Sequence, residues 1–195
     1  EIVIEPTAND IGEVQIMADN ARSQSQAYNI QKLSPKVMNV IAADKIGKLP
    51  DKNGAEAVQR IVGVTIERDQ GEGRYVIIRG APTWWNSVML NGERLPTGGG
   101  GEGTGRDVPL DILPANFLER IEVAKTLSPD MEADAIGGSV NYITSTAPNE
   151  RILDIDLGAG YHNQSQQPIY NANITFGDRL GKFGYMISGA WYERN

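Results

Sequence analysis

Two adjacent tryptophans, Trp84 and Trp85, stand in the polar stretch 81–86, and two arginines, Arg79 and Arg120, stand beside or within apolar, β-rich runs. Indole faces in a polar loop stack on sugar rings or flat chelates, or else fold down into the domain that carries them. A strand arginine forks two hydrogen bonds to a carboxylate and keeps its charge at every working pH. Glu122, two residues from Arg120, falls on the same strand face and can share such a network. Most catalytic chemistry is closed. The 195 residues include no cysteine and one histidine, His162, so there is no thiolate or His-pair zinc arrangement and no Ser-His-Asp triad. The glycine-rich run 98–105 lacks the Gly-Lys-Ser/Thr of a phosphate loop, and Asp130, Glu132 and Asp134 lack the other ligands of a calcium loop. The reading is therefore not an enzyme, with no cofactor and no metal. A net charge of −7, from 18 basic and 25 acidic residues, argues against nucleic acid, whose phosphates need clustered Lys and Arg.

The elements that must position these residues follow from the pattern. Apolar residues make up 40% and charged residues 22%, which is the composition of a folded chain, and the 22 glycines point to many turns. Residues 1–28 hold no sustained period. Their polar run 21–26 reads as a flexible or docked extension, interrupted by the apolar pieces 2–4 and 14–17. From residue 37 short strands and helices alternate. Residues 37–41 read as a strand, Asp51 and Asn53 offer caps for a helix over 55–61, and Gly63 stops it. Residues 64–66, 75–78, 88–90, 120–124 and 140–144 read as strands, separated by loops at 69–73 and 81–86; Asn91-Gly92 marks a tight turn and 114–118 a helical turn.

After Pro148 the period becomes strictly two. Ile155, Leu157, Ala159 and Tyr161 alternate with Asp154, Asp156, Gly158 and Gly160; Tyr170, Ala172, Ile174 and Phe176 form a second copy, and Phe183, Tyr185, Ile187 and Trp191 a third. The links are a longer polar one over 162–169 and a turn over 177–182. Aromatics at both ends of an apolar band form the girdles of a membrane barrel, whose polar face lines the lumen, whereas the same alternation alone suits a soluble meander. Three strands cannot close a cylinder, so this reading expects further strands beyond Asn195. No stretch approaches the roughly 20 apolar residues of a spanning helix. Glu1 opens the chain without a signal-peptide pattern, which reads as a mature or trimmed form.

Val76-Ile-Ile-Arg79-Gly80 followed by Val88-Met-Leu-Asn91-Gly92, the segment Arg120-Ile-Glu122-Val123, and Ala135-Ile-Gly137-Gly138 resemble, in order, the plug signatures of TonB-dependent outer-membrane receptors. Residues 55–64 resemble that family's helix and Pro-Gly-Val turn, with Val62 in place of the proline. The wording of 68–75, 91–96 and 127–134 is similar to a subgroup associated with oligosaccharide uptake. The resemblance implies an α+β fold: a small mixed-sheet plug with short helices over 29–148, an extension with a candidate TonB box over 1–28, and the first three antiparallel strands of a truncated transmembrane β-barrel over 149–195. It implies a plug-barrel lock at Arg79, Arg120 and Glu122, pairing with glutamates of the barrel wall. Ligand contacts are expected at outward apices: Gln70, Glu72, Thr83, Trp84, Trp85, Asn86, Glu102 and Thr104. Glu13, Val14, Gln15, Ile16, Met17 and Ala18 would form the TonB box, or else an ordinary linker strand. The implied partners are a TonB-like periplasmic coupling protein, the chain's own barrel, outer-membrane lipid, an imported small ligand such as an oligosaccharide or siderophore, and a surface lipoprotein. The implied location is the outer membrane of a Gram-negative bacterium, the N-terminus periplasmic. The implied activity is active import gated by the plug; the alternative is a sensing or surface-binding receptor without net import.

Overall fold

A computed structural model describes residues 23–46, 51, 53–97, 105–129, 131, 133, 135–147, 151–162 and 166–192. The expected TonB box over 13–18, the apex residues Glu102 and Thr104, and the carboxylates Asp130, Glu132 and Asp134 lie outside the described residues.

The first described element corrects the sequence reading. Of the two readings for the polar run, flexible or docked, the described part is docked, and as a helix that the pattern does not show: Ser23 caps helix α1 (Gln24–Leu33), its hydroxyl accepting from the Gln26 amide at 3.4 Å. Little in the pattern announces this helix, because its buried contact is narrow: Ala27 and Ile30 rest on Met38, Val40, Ala42 and Ala124. Docking on a neighbouring strand, β1 (Met38–Ala42), supplies what propensity does not. The Gln24 side-chain amide reinforces it, donating to the Val40 carbonyl and accepting from the Ala42 amide.

Helix α2 (Ala43–Ile46) and helix α3 (Gly54–Val58) follow. Asn53 caps α3 as expected, accepting from the Glu56 amide at 3.0 Å, while its Nδ2 donates to the Gly73 carbonyl at 2.9 Å. One buried side chain thus fixes both the start of the helix and its seat on the hairpin β2 (Val64–Asp69) and β3 (Glu72–Ile78). Gly63 turns the chain at φ +77°. Val62, which stands where the resembling signature has proline, is 83% exposed and meets no packing demand. The loop expected over 69–73 shrinks to Gln70 and Gly71, both at positive φ, the geometry that matches strand twist in a two-residue hairpin.

A five-stranded mixed sheet carries the rest, in the order β1-β6-β7-β4-β5, with β4 (Asn86–Leu90), β5 (Glu93–Arg94), β6 (Leu118–Ala124) and β7 (Gly138–Thr144). Strand β7 runs parallel to β4 and antiparallel to β6. The main core lies against one face of this sheet, where Val58, Ile78, Leu110, Ile121, Val140 and Tyr142 are all fully buried.

Three long strands complete the described chain: β8 (Ile152–His162), β9 (Gln167–Leu180) and β10 (Phe183–Tyr192), paired in the order β10-β9-β8. The turn expected over 177–182 contracts to Gly181 and Lys182, since β9 continues to Leu180. Directly opposed residues of antiparallel strands share a face. The register Leu153↔Phe176↔Ile187 and Leu157↔Ala172↔Trp191 therefore gathers the apolar residues on one side, and Asp154↔Thr175↔Ser188 gathers the polar ones on the other.

Candidate functional site

The polar side of the three strands faces the plug. Asn116, in the 3-10 turn Ala115–Phe117, donates to the Ser188 hydroxyl at 2.9 Å, and Ser188 in turn meets Thr175 at 3.0 Å. Around this bridge lies a gap of about 590 Å³, lined from the plug by Asp44 and Asn116 and from the strands by Asp154, Asp156, Asn173 and Thr175. The opposite side exposes Leu153, Ile155, Leu157, Ile174, Ile187 and Trp191. Tyr161 and Tyr170 stand at one end of this apolar row, while Phe183 and Tyr185, 6.3 Å apart, stand at the other. An outward apolar band between aromatic rows, with a polar face turned inward, is the lipid-facing geometry of a barrel wall. At the foot of the wall Arg151 pairs with Asp178 at 2.9 Å.

The expected ligand residues are placed unequally. Gln70 is exposed at the tip of the β2–β3 hairpin, and Glu72 is half-buried in β3, not in a loop. Thr83, Trp84 and Trp85 form a 3-10 turn in which Trp84 is half-buried and Trp85 is 44% exposed. Of the two outcomes open for the tryptophans, Trp84 leans toward packing and Trp85 toward solvent. Asn86 departs from its expected place on an exposed apex. It is only 5% exposed, and its Nδ2 donates to the carbonyls of Val76 and Pro82. It holds the turn from behind because an amide can satisfy two buried carbonyls at once.

The lock residues also divide. The lock reading puts Arg79 on a plug strand, but β3 ends at Ile78, where the pattern ends it, and Arg79 occupies the left-handed region at φ +54°. Its guanidinium donates to the carbonyls of Ile136 and Gly137 at 3.2 Å, and no carboxylate lies in ion-pair range of it among the described residues. Arg120 does sit on a strand and is already held inside the plug, by Glu122 at 2.8 Å and by Glu119 at 2.7 Å. Sequence reasoning missed Glu119. Alternation places it opposite Arg120, but a register shift between Leu118 and Arg120 brings the neighbouring carboxylate alongside, as an irregularity in a ladder does. It also missed Asp107, which accepts from the Thr83 hydroxyl; no spacing rule links two residues so far apart in the chain. Asn141 extends the Arg120 network toward the Asn91-Gly92 turn, donating to Glu122 and accepting from the Gly92 amide.

Comparisons with known proteins agree with this geometry. The sequence model described as "TonB-dependent Receptor Plug Domain" matches residues 30–139. The chain is 27% identical over 151 residues to the vitamin B12 transporter BtuB of Photobacterium profundum, covering 73% of this chain and 24% of that protein. It is 26% identical over 130 residues to BtuB of Vibrio vulnificus, covering 65% of this chain and 20% of that protein. Its fold resembles the unliganded ferric citrate transporter FecA, with a TM-score of 0.67 at 21% identity over 85% of this chain and 27% of that one. It also resembles the Serratia marcescens hemophore receptor HasR, solved with its hemophore HasA and heme, with a TM-score of 0.54 at 17% identity over 80% of this chain and 24% of the other. The chain spans about a quarter of the length of these proteins. The four plug signatures, the mixed sheet they build and the polar-inward wall strands beside it come from one source: this chain belongs to the TonB-dependent receptor plug domain family.

Proposed function

We propose that the whole protein containing this chain is a TonB-dependent transporter in the outer membrane of a Gram-negative bacterium, importing a small ligand past a plug that fills its barrel. The observation that carries this reading is the turning of the wall strands, polar Thr175 and Ser188 toward the plug and apolar Leu153, Ile174 and Ile187 away from it. A wide lumen must be obstructed to be tight, and a plug held by polar contacts can be both tight and movable. The division into 1–28, 29–148 and 149–195 belongs to the same proposal, with α1 lying across the first boundary. The relatives are named for vitamin B12, ferric citrate and heme. For this chain the ligand class proposed is an oligosaccharide or a siderophore-like chelate, captured at the β2–β3 hairpin that carries Gln70 and Glu72 and at the turn that carries Thr83, Trp84 and Trp85.

Energy enters, in this reading, through residues 13–18, which are proposed to add as a strand to a periplasmic TonB-like protein through main-chain hydrogen bonds. Cells carrying the full-length transporter should take up one of three probes, cyanocobalamin, ferric citrate or maltoheptaose. Deleting residues 13–18 should abolish that energised uptake and leave surface binding intact; uptake that survives the deletion would exclude the assignment.

Arg79, bound only to carbonyls among the described residues, is proposed to meet a carboxylate of the barrel wall, with Arg120 and Glu122, on β6 opposite Ile143 and Asn141 farther along β7, as the rest of the lock. Arg79→Ala in the full-length protein should raise passive conductance across planar bilayers, because it removes both the wall contact and the tie to residues 136 and 137. Conductance equal to that of the unaltered protein would refute the role.

A further inference from the structure

The turn that carries Trp84 and Trp85 is held at its two ends by different means. Behind it, Asn86 donates to Pro82 and Val76, and the Trp85 carbonyl accepts from the Gly137 amide at 2.9 Å. In front, Pro82 precedes the turn and offers no side-chain cap. Beyond the Asn86 bond to the Pro82 carbonyl, the side-chain contact there is the Thr83 hydroxyl donating to Oδ1 of Asp107. Asp107 comes from a separate strap of the plug and is 3% exposed. Its other oxygen, Oδ2, is out of reach of solvent and receives no hydrogen bond among the described residues. A carboxylate removed from water is costly unless its oxygens are well satisfied, so stability of the strap does not account for this one. The one side-chain hydrogen bond that Asp107 makes among the described residues falls on the first residue of the tryptophan turn.

We propose that Asp107 is the positioning residue of the ligand surface: through Thr83 it fixes the turn that sets how Trp84 and Trp85 are presented. The proposal rests on the reading that this pair touches ligand. Asp107 itself does not touch ligand; it acts by denying the turn its alternative conformations, so the tryptophans meet a flat apolar face already ordered. Fixing the turn from two sides also couples the strap through residue 107 to the segment through Gly137, which the Trp85 carbonyl holds.

The test uses the full-length transporter and two readouts. Hydrogen exchange of segment 81–86 should accelerate about tenfold in Thr83→Val, which keeps the shape of threonine and removes the donor, and should return to normal in Thr83→Ser. Asp107→Ala should match Thr83→Val. Affinity for whichever of cyanocobalamin, ferric citrate or maltoheptaose binds should fall in Thr83→Val and Asp107→Ala and recover in Thr83→Ser. Unaltered exchange in Thr83→Val overturns the proposal, and so does accelerated exchange with undiminished affinity while Trp85→Ala binds poorly. If Trp84→Ala and Trp85→Ala both bind every probe as tightly as the unaltered protein, the ligand-surface reading is what fails, and the exchange data alone then decide whether Asp107 orders the turn.

Discussion

Replacing Gly138 with alanine is expected to destabilise the plug by about 3–5 kcal/mol, combining a glycine-only backbone region with an overpacked contact. Gly138 opens β7 at φ +146°, where L side chains are strained. A Cβ there would lie 2.8 Å from the Ala124 carbonyl oxygen and 3.0 Å from the Ile78 side chain. The carbonyl is backbone and the isoleucine is fully buried, so neither yields without prying β7 from β6 at the Ala124↔Ser139 pair. Gly137 is constrained separately, by the Asn86 Oδ1 that a Cβ would overlap. Gly160→Ala serves as the control, since that glycine lies in β8 with nothing within 4 Å of the added carbon. Urea unfolding followed by hydrogen exchange of the plug peptides should show a large fall in midpoint for the first variant and almost none for the control; equal midpoints would remove the steric account.

Tyr142→Ala should be comparably severe, at about 3–5 kcal/mol for emptying an aromatic site in a packed core. Tyr142 is fully buried in β7, which pairs with β4 there at Leu90; its ring lies against Gly54, and its hydroxyl donates to the Gly54 carbonyl at 3.2 Å. One side chain thus ties the central strand to the start of α3. Tyr142→Phe keeps the ring and should cost about 1 kcal/mol, the value of a single buried hydrogen bond. The pair also makes a prediction in pH. Burial pushes the Tyr142 phenol well above its ordinary value of 10.0, because the phenolate has no water to stabilise it. The folded pKa therefore exceeds the unfolded one. The contribution of the neutral phenol is complete below about pH 10 and is lost as pH rises above it, by about 1.4 kcal/mol per unit until the folded pKa is reached. Stability measured between about pH 9 and about pH 11.5 should fall more steeply for the unaltered protein than for Tyr142→Phe, since only the former carries the phenol that titrates near 10 when unfolded. Parallel curves would show that Tyr142 ionises without unfolding the core.

Much of the architecture is legible in the chain because it rests on local chemistry. Asn53 has to cap the helix that follows, since an Asx side chain reaches the third amide onward, and Gly63 and Asn91-Gly92 have to turn, since positive φ excludes most other residues. The wall strands follow from period two alone, because alternation of Ile155, Leu157 and Ala159 against Asp154, Asp156 and Gly158 leaves only one way to sort the faces. Their bounds are less clear: Gly177 and Asp178 have the composition of a turn, yet β9 runs through them, its Asp178 held by Arg151 from just before β8.

The candidate site is legible in its residue types and less so in its partnerships. Trp84, Trp85, Arg120 and Glu122 are visible in the chain, and the Arg120–Glu122 pair follows from their spacing. Helix α1 is not visible, since its stripe is only Ala27 and Ile30 and a strand beneath it decides its fate.

By itself, then, the sequence determined most of the strands after residue 37, the turns at Gly63 and Asn91-Gly92, the two faces of the wall and the family to which the plug belongs, all of which depend on side chains a few residues apart. Tertiary structure alone decided that Asn86 braces the tryptophan turn from inside, that a ladder irregularity delivers Glu119 to Arg120, that Arg79, just past its strand, holds residues 136 and 137, and that Asp107 reaches Thr83. Each of those contacts depends on how strands register and straps cross, and neither is encoded in any local period.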